Sequence, residues 1–382
     1  MSDDITKIVF GDPNDPLAEL AVCEQNATSA YESLSLTPSL QSRLSGFMQF
    51  APSIAGGVSQ AVRQTYTLTF KQTTPRLMQA AGGGFHATAV DRAGKIVGNG
   101  VLNPVTAARV LASAAAAWQI MAVVTAQIHL TEINARLVEI ERGVSEIKAW
   151  LETDKIATLV NAQRYVAEIR DAFAMRGLTE HDVAGFEHQL ERLWLDCGQV
   201  STSLRLMLED QTKRFEQLQL GSLWGLGSQV NAAKSTMNQY ERLSRAFLLA
   251  MQTRAVLVQG RAVLPLSREV AVQRLGMLRD ELNQFDVTRQ QFFEEARQQV
   301  RTQLRATLHV GTSDNTYQSK VLGATQVTSA KVLKQTAAVA ASINTIEAGL
   351  DVQQQIAEHP VTFLITLDDQ GNLAEVRRLL KG

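Results

Sequence analysis

Apolar residues recur at alternating spacings of three and four from Val123 through Ala126, Leu130, Ile133, Leu137, Ile140, Val144 and Ile147 to Leu151. Such a heptad stripe gives a helix one narrow apolar face, the seam of a coiled coil. Asn103-Pro104 supplies an N-cap and a proline at the first helical position, and no strong breaker follows before Gly177. The pattern predicts a single helix of about 70 residues, about 105 Å long at 1.5 Å per residue. Gly143 is its candidate hinge, because a mid-helix glycine costs about 1 kcal/mol relative to alanine.

Gly177 suits the left-handed cap that ends such a helix, and Leu178 to Val183 opens the next one. Thr179 takes the N-cap, Asp182 stands as a short capping-box acid, and Leu178 and Val183 form a hydrophobic staple. The second helix repeats the heptad at Val183, Phe186, Leu190, Leu193, Cys197, Val200, Leu204 and Met207. Two facing stripes joined by a tight turn predict an antiparallel coiled-coil hairpin. Glycines loosen the pattern at Leu220 to Gly227, helix resumes to Val258, and Gly260 and Pro265 break it. Ser267 caps a further helix carrying Leu275, Leu278, Leu282, Phe285 and Phe292, and a last helix rich in Ala, Thr and Ser runs to His359.

Period-two segments flank this body. Strands are expected at Ile5–Phe10, Thr65–Phe70, Phe85–Val90 and Lys95–Val97, and helices at Leu17–Leu34 and Ser39–Arg63. Near the other end, Thr362–Leu367, the Asp368 to Gly371 turn and Asn372-Leu373 repeat the strand, turn and strand logic. An isolated hairpin is marginal in water, so the two ends are expected to meet in one small mixed sheet. The fold class is thus mainly α: an elongated antiparallel helical bundle or coiled coil with a small β element formed by N- and C-terminal segments. Residues 1–102 form a mixed α/β region, 103–359 the long-helix bundle, and 360–382 a C-terminal β-turn segment packing on the first.

Charge narrows the partners. Lys plus Arg number 37 against 38 Asp plus Glu over 382 residues. That balance removes the long-range drive toward nucleic acid, so none is expected as a partner. Two cysteines, Cys23 and Cys197, make no disulfide framework and fit a reducing compartment. The start Met-Ser-Asp-Asp lacks a signal peptide's basic and apolar regions, so a cytoplasmic location is expected, with non-classical release leaving no mark.

No motif carries recognisable chemistry. The six histidines show no HExxH spacing, and Gly82-Gly83-Gly84 leads into a strand without Gly-Lys-Ser/Thr. Cys197 occupies a heptad core position, as a small buried hydrophobe does. No catalytic residue, cofactor or metal is therefore expected. An enzyme site around His86, Asp91 and Asp368 is the weakest of three functional readings.

Val110 to Leu130 contains no charged residue over 21 positions, long enough to span a bilayer. Seven alanines, Gln119, Gln127 and His129 argue for a buried helix instead. The alternative is a conditional membrane element of Ala116, Trp118, Ile120, Val123 and Val124, meeting lipid in an activated state. This layout resembles the long-helix α-pore-forming toxins, whose soluble bundles mask a hydrophobic segment, and the resemblance implies a pore-forming or membrane-disrupting effector. The favoured expectation is a non-enzymatic protein acting through coiled-coil assembly, with itself or a protein partner, along Ile133, Leu137, Ile140, Val144 and Ile147.

Overall fold

The computed structural model describes residues 7–12, 15–22, 31–33, 65–70, 86–90, 96–101, 132–175, 180–218, 226–264, 267–307, 314–358, 361–367 and 373–379. Two compact units divide the chain. One comprises Met1–Ile128, Asp171–Thr179 and Asp351–Gly382, the other His129–Arg170 and Glu180–Leu350.

The first unit holds an antiparallel sheet. Its strands are β1 (Lys7–Asp12), β2 (Asp15–Val22), β3 (Tyr31–Ser33), β4 (Thr65–Phe70), β5 (His86–Val90), β6 (Ile96–Val101), β7 (Val361–Leu367) and β8 (Leu373–Leu379). They lie in the order β3-β8-β7-β4-β2-β1-β5-β6. The two ends of the chain meet at β4 and β7, where Tyr66 pairs with Ile365 and Leu68 with Phe363. Alternation explains the shared face: Tyr66, Leu68, Phe363, Ile365 and Val376 are buried, whereas Thr67, Thr69, Thr362 and Leu364 are half-buried. Thr69 and Thr362, directly opposite, join their hydroxyls at 3.0 Å.

The expected closure of the sheet therefore holds, but the sheet is larger than two hairpins and every pairing is antiparallel. Leu17–Leu34 is not one continuous helix, because both of its described parts are strands. Leu17 to Val22 lies in β2, hydrogen-bonded to β1 on one side and β4 on the other, and Tyr31–Ser33 is an edge strand on β8. Leu20 points inward while Glu19 and Ala21 are half-buried, the alternation a strand requires. The helix expected at Ser39–Arg63 lies outside the described residues.

The helices are α1 (described over 132–147), α2 (Thr153–Met175), α3 (Glu180–Glu216), α4 (Leu226–Ala262), α5 (Arg268–Thr307) and α6 (Asp314–Glu358). The single 70-residue helix is corrected: the chain breaks at 148–152 and doubles back. Trp150 and Leu151 both donate their amides to the Ile147 carbonyl, at 3.1 and 3.0 Å, before Ile156 resumes the ladder by donating to Glu152. Arg170 then reaches Asn134 at 2.7 Å, which only an α1–α2 hairpin permits. No glycine or proline marks this corner, so the heptad runs through it, and Leu151 stays buried within the turn. Spin labels on the exposed Ala135 and Glu168 will accordingly report close approach by pulsed dipolar spectroscopy. A continuous helix would hold them about 50 Å apart.

Gly143 is not the hinge. It lies within α1, where a Cβ would meet Leu249 Cδ1 at 2.7 Å, so glycine here admits close packing against α4. Glu146 and Glu132 on α1 pair with Arg245 at 2.7 Å and Gln259 at 2.9 Å on α4. The partner of the first seam is thus α4, and α3 also packs mainly on α4, touching α2 where Tyr165 and Phe186 meet edge to face at 5.8 Å. Nor does Gly260 end α4; it brings the helix within 3.5 Å of Val166 on α2 and 3.8 Å of Leu190 on α3 at the Cβ position.

The remaining helices alternate in direction. Tyr240 stacks on Phe292 at 3.9 Å and Phe247 on Phe285 at 4.8 Å, which sets α4 against α5. Arg279 grips the Glu347 carboxylate with two hydrogen bonds, at 2.9 and 2.5 Å, and sets α5 against α6. Gln299 on α5 donates to the Leu218 carbonyl at 2.9 Å, satisfying a carbonyl just past the end of α3. The second unit is an antiparallel helical bundle in which α3 and α5 run parallel, both reversed relative to α4.

Candidate functional site

Trp194 on α3 is buried among three helices, with two guanidinium groups over its indole. Arg254 of α4 lies 4.3 Å from the ring centroid and Arg274 of α5 lies 5.1 Å from it. Cation–π attraction of this kind strengthens where water is excluded. Arg254 is 5% exposed, and its Nη1 donates to Ser201 Oγ at 3.1 Å and to the Glu281 carboxylate. The Glu191 carboxylate bridges Arg274, at 2.5 Å, and a third arginine, Arg261, at 3.0 Å. Arg261 also donates to the Glu187 carbonyl at 3.2 Å, and Ser267 donates to the Glu187 carboxylate. Three helices are pinned in register by charged groups rather than by apolar fit alone.

Above this cluster, α3 and α5 leave a groove of about 1,020 Å³. Its walls carry apolar residues that the first seams do not use: Leu195 and Leu206 on α3, each more than half exposed, and Met277 on α5. Leu195, Gln199, Thr202 and Leu206 repeat the three-and-four spacing along α3, outside the buried line Leu193, Cys197, Val200 and Leu204. Met277, Asp280, Gln284 and Val287 do the same along α5. Each helix thus has a second heptad line facing solvent.

The cysteine at this level has no reactive character. Cys197 is fully buried, and burial pushes its thiol up to about 12, against the opposing pull of Arg254. A thiol held protonated at neutral pH is not a nucleophile. Among the described residues no group of three or more His, Cys, Asp or Glu is placed to hold a metal ion.

The residues singled out from sequence fall in different places. Ile133, Ile140, Val144 and Ile147 are buried and Leu137 is half-buried, all within α1. Ala116, Trp118, Ile120, Val123 and Val124 lie outside the described residues, as do Asp91 and Asp368, and His86 sits on β5 opposite Val101. Among the described residues no helix is long and apolar enough to cross a membrane. The groove itself was not anticipated. Its signal was present as Leu195, Leu206 and Met277, apolar residues lying off the predicted seams.

The fold and groove define a helical-bundle protein joined to an antiparallel sheet of strands from both ends of the chain. No protein-family model, curated protein or solved structure matches this chain.

Proposed function

We propose that this is a non-enzymatic protein that acts through coiled-coil-type helix association, with a protein partner or with copies of itself, on the α3–α5 face. One observation carries the reading. The described part of the first heptad seam, from Ile133 to Leu151, is used up inside the chain, whereas a second heptad line on each of two parallel helices stays exposed beside an open groove. Helices that present paired ridges of alternating apolar and polar residues with a groove between them accept an amphipathic helix by the same side-chain interlocking that holds the bundle.

The test is site-specific photo-crosslinking in the cells that make the protein. A benzophenone residue at Leu206 is compared with one at Val327 on α6, which is equally exposed at 56%. Discrete protein adducts are expected from Leu206 and not from Val327. Adducts to lipid, or none at Leu206, overturn the reading. Release of dye from vesicles by the purified chain favours the alternative, a pore-forming or membrane-disrupting effector using residues 110–130.

A further inference from the structure

Among the described residues, three of the buried side-chain donors without a partner line one groove. Arg205, Arg254 and Arg274 each leave a buried Nε without a hydrogen-bond partner, and all three line the groove between α3 and α5. Those Nε atoms are closed off, but the Arg205 and Arg274 side chains are 42% and 22% exposed, and it is through these exposed parts that an acceptor in the groove meets them. Two of the three stand at opposite ends. Arg274 lies beside Trp194 at one end, and Arg205 lies beside Gln284 at the other, at 3.4 Å. Trp194 and Arg205 are 11 residues apart on α3, three helical turns or about 16 Å.

The middle of the groove has the opposite character. Asp280 and Glu281 lie there, and the Glu281 carboxylate is already engaged with Arg254. The carboxylates nearest the end arginines are committed or loosely held: Glu191 is shared between Arg274 and Arg261, and Glu209 pairs with Arg205 Nε only across 4.0 Å, too long for a hydrogen bond. Along the groove the order is cation, anion, cation, walled by Leu195, Leu206 and Met277.

We infer that the α3–α5 groove receives an amphipathic partner helix bearing two carboxylates three turns apart, one for Arg274 and one for Arg205, with apolar residues between them. Acidic side chains at i and i+11 fall on one face of a helix, since three turns span 10.8 residues. That spacing matches the distance between the end arginines. Their planar guanidinium groups bind carboxylates with charge-assisted hydrogen bonds. An acid at the centre of such a helix would face Asp280 and is disfavoured. The inference rests on the helix-binding reading above and deepens it by naming the partner's charge pattern.

A displayed library of helices tests it. The helices share a heptad apolar face whose i, i+4, i+7 and i+11 positions are varied among Glu, Gln, Lys and Leu. Selection uses the full chain, with counter-selection on Leu206→Asp. The expected winners carry Glu at i and i+11 and none between. Changing either Glu to Gln weakens binding about tenfold. Arg205→Glu removes binding of the winner, and the helix with Lys at the corresponding end restores it. Winners that are indifferent to charge, or rich in Lys, overturn the charge pattern and leave helix binding standing. No enrichment over the Leu206→Asp counter-selection overturns both.

Discussion

Glu281→Ala lowers the stability of the helical unit by about 3 kcal/mol, read as a fall in the urea midpoint at unchanged m-value. The cause is the guanidinium left behind. The Arg254 side chain is 6% exposed, and without Glu281 it retains only the Ser201 hydroxyl, the Met251 sulfur at 3.9 Å and the Trp194 face. An uncompensated buried charge costs several kcal/mol, more than the pair itself contributes, because the desolvation of Arg254 is no longer offset. The double variant Arg254→Met, Glu281→Leu therefore recovers most of the loss, since it removes both charges and fills similar volume. Disrupting the exposed Arg279–Glu347 pair, with side chains 39% and 44% exposed, gives a calibration. Although that pair is bidentate, and although it raises Arg279 and lowers Glu347 from their ordinary values, water screens it. Arg279→Ala should cost no more than about 1 kcal/mol. An equal loss from both variants would mean that burial does not govern the Arg254 site.

The contrast between these two pairs bears on how much of the molecule was legible in the chain. Periodicity reports which face of a helix is buried. It does not report which helix covers it. The buried line Ile133, Ile140, Val144, Ile147 was readable, yet its partner is α4, more than 90 residues away, and not α3, which carries the second heptad stripe. Trp194, Arg254 and Arg274 stand on three helices, and no spacing rule connects them. The corner at Trp150 was hidden for a related reason. It carries no breaker residue, and hydrogen bonds to Ile147 and the burial of Leu151 stabilise it through the fold rather than through local preference.

The strands were more legible where side chains alternate. Thr65–Phe70 carries Thr on one face and Tyr, Leu and Phe on the other, and the strand matches that range. Leu17 to Val22 reads Leu-Ala-Glu-Leu-Ala-Val, whose helix-forming residues and three-residue repeat fit a helix as well as a strand. Pairing with β1 and β4 decides it, which is tertiary structure overriding a weak local preference.

That dependence on long-range pairing makes β7 a sensitive place in the described part of the sheet. Phe363→Ala is expected to cost about 3–4 kcal/mol, the range for truncating a fully buried aromatic. Phe363 is completely buried and sits opposite Leu68, which in turn sits opposite Leu20, so one row of side chains crosses β7, β4 and β2. Both neighbours are completely buried too, so a cavity opened at Phe363 has no exposed side chain in that row to collapse into it. Thr362→Ala, one position away, removes only a half-buried hydroxyl that pairs with Thr69, and should cost about 1 kcal/mol. Amide hydrogen exchange followed by mass spectrometry separates the two outcomes by location. Phe363→Ala should speed exchange across β2, β4, β7 and β8 together, because β7 is the strand through which residues 7–22 and 373–379 belong to one sheet. Exchange that quickens in β7 and β8 alone, with β2 and β4 unchanged, would mean that the two ends of the chain are stabilised separately.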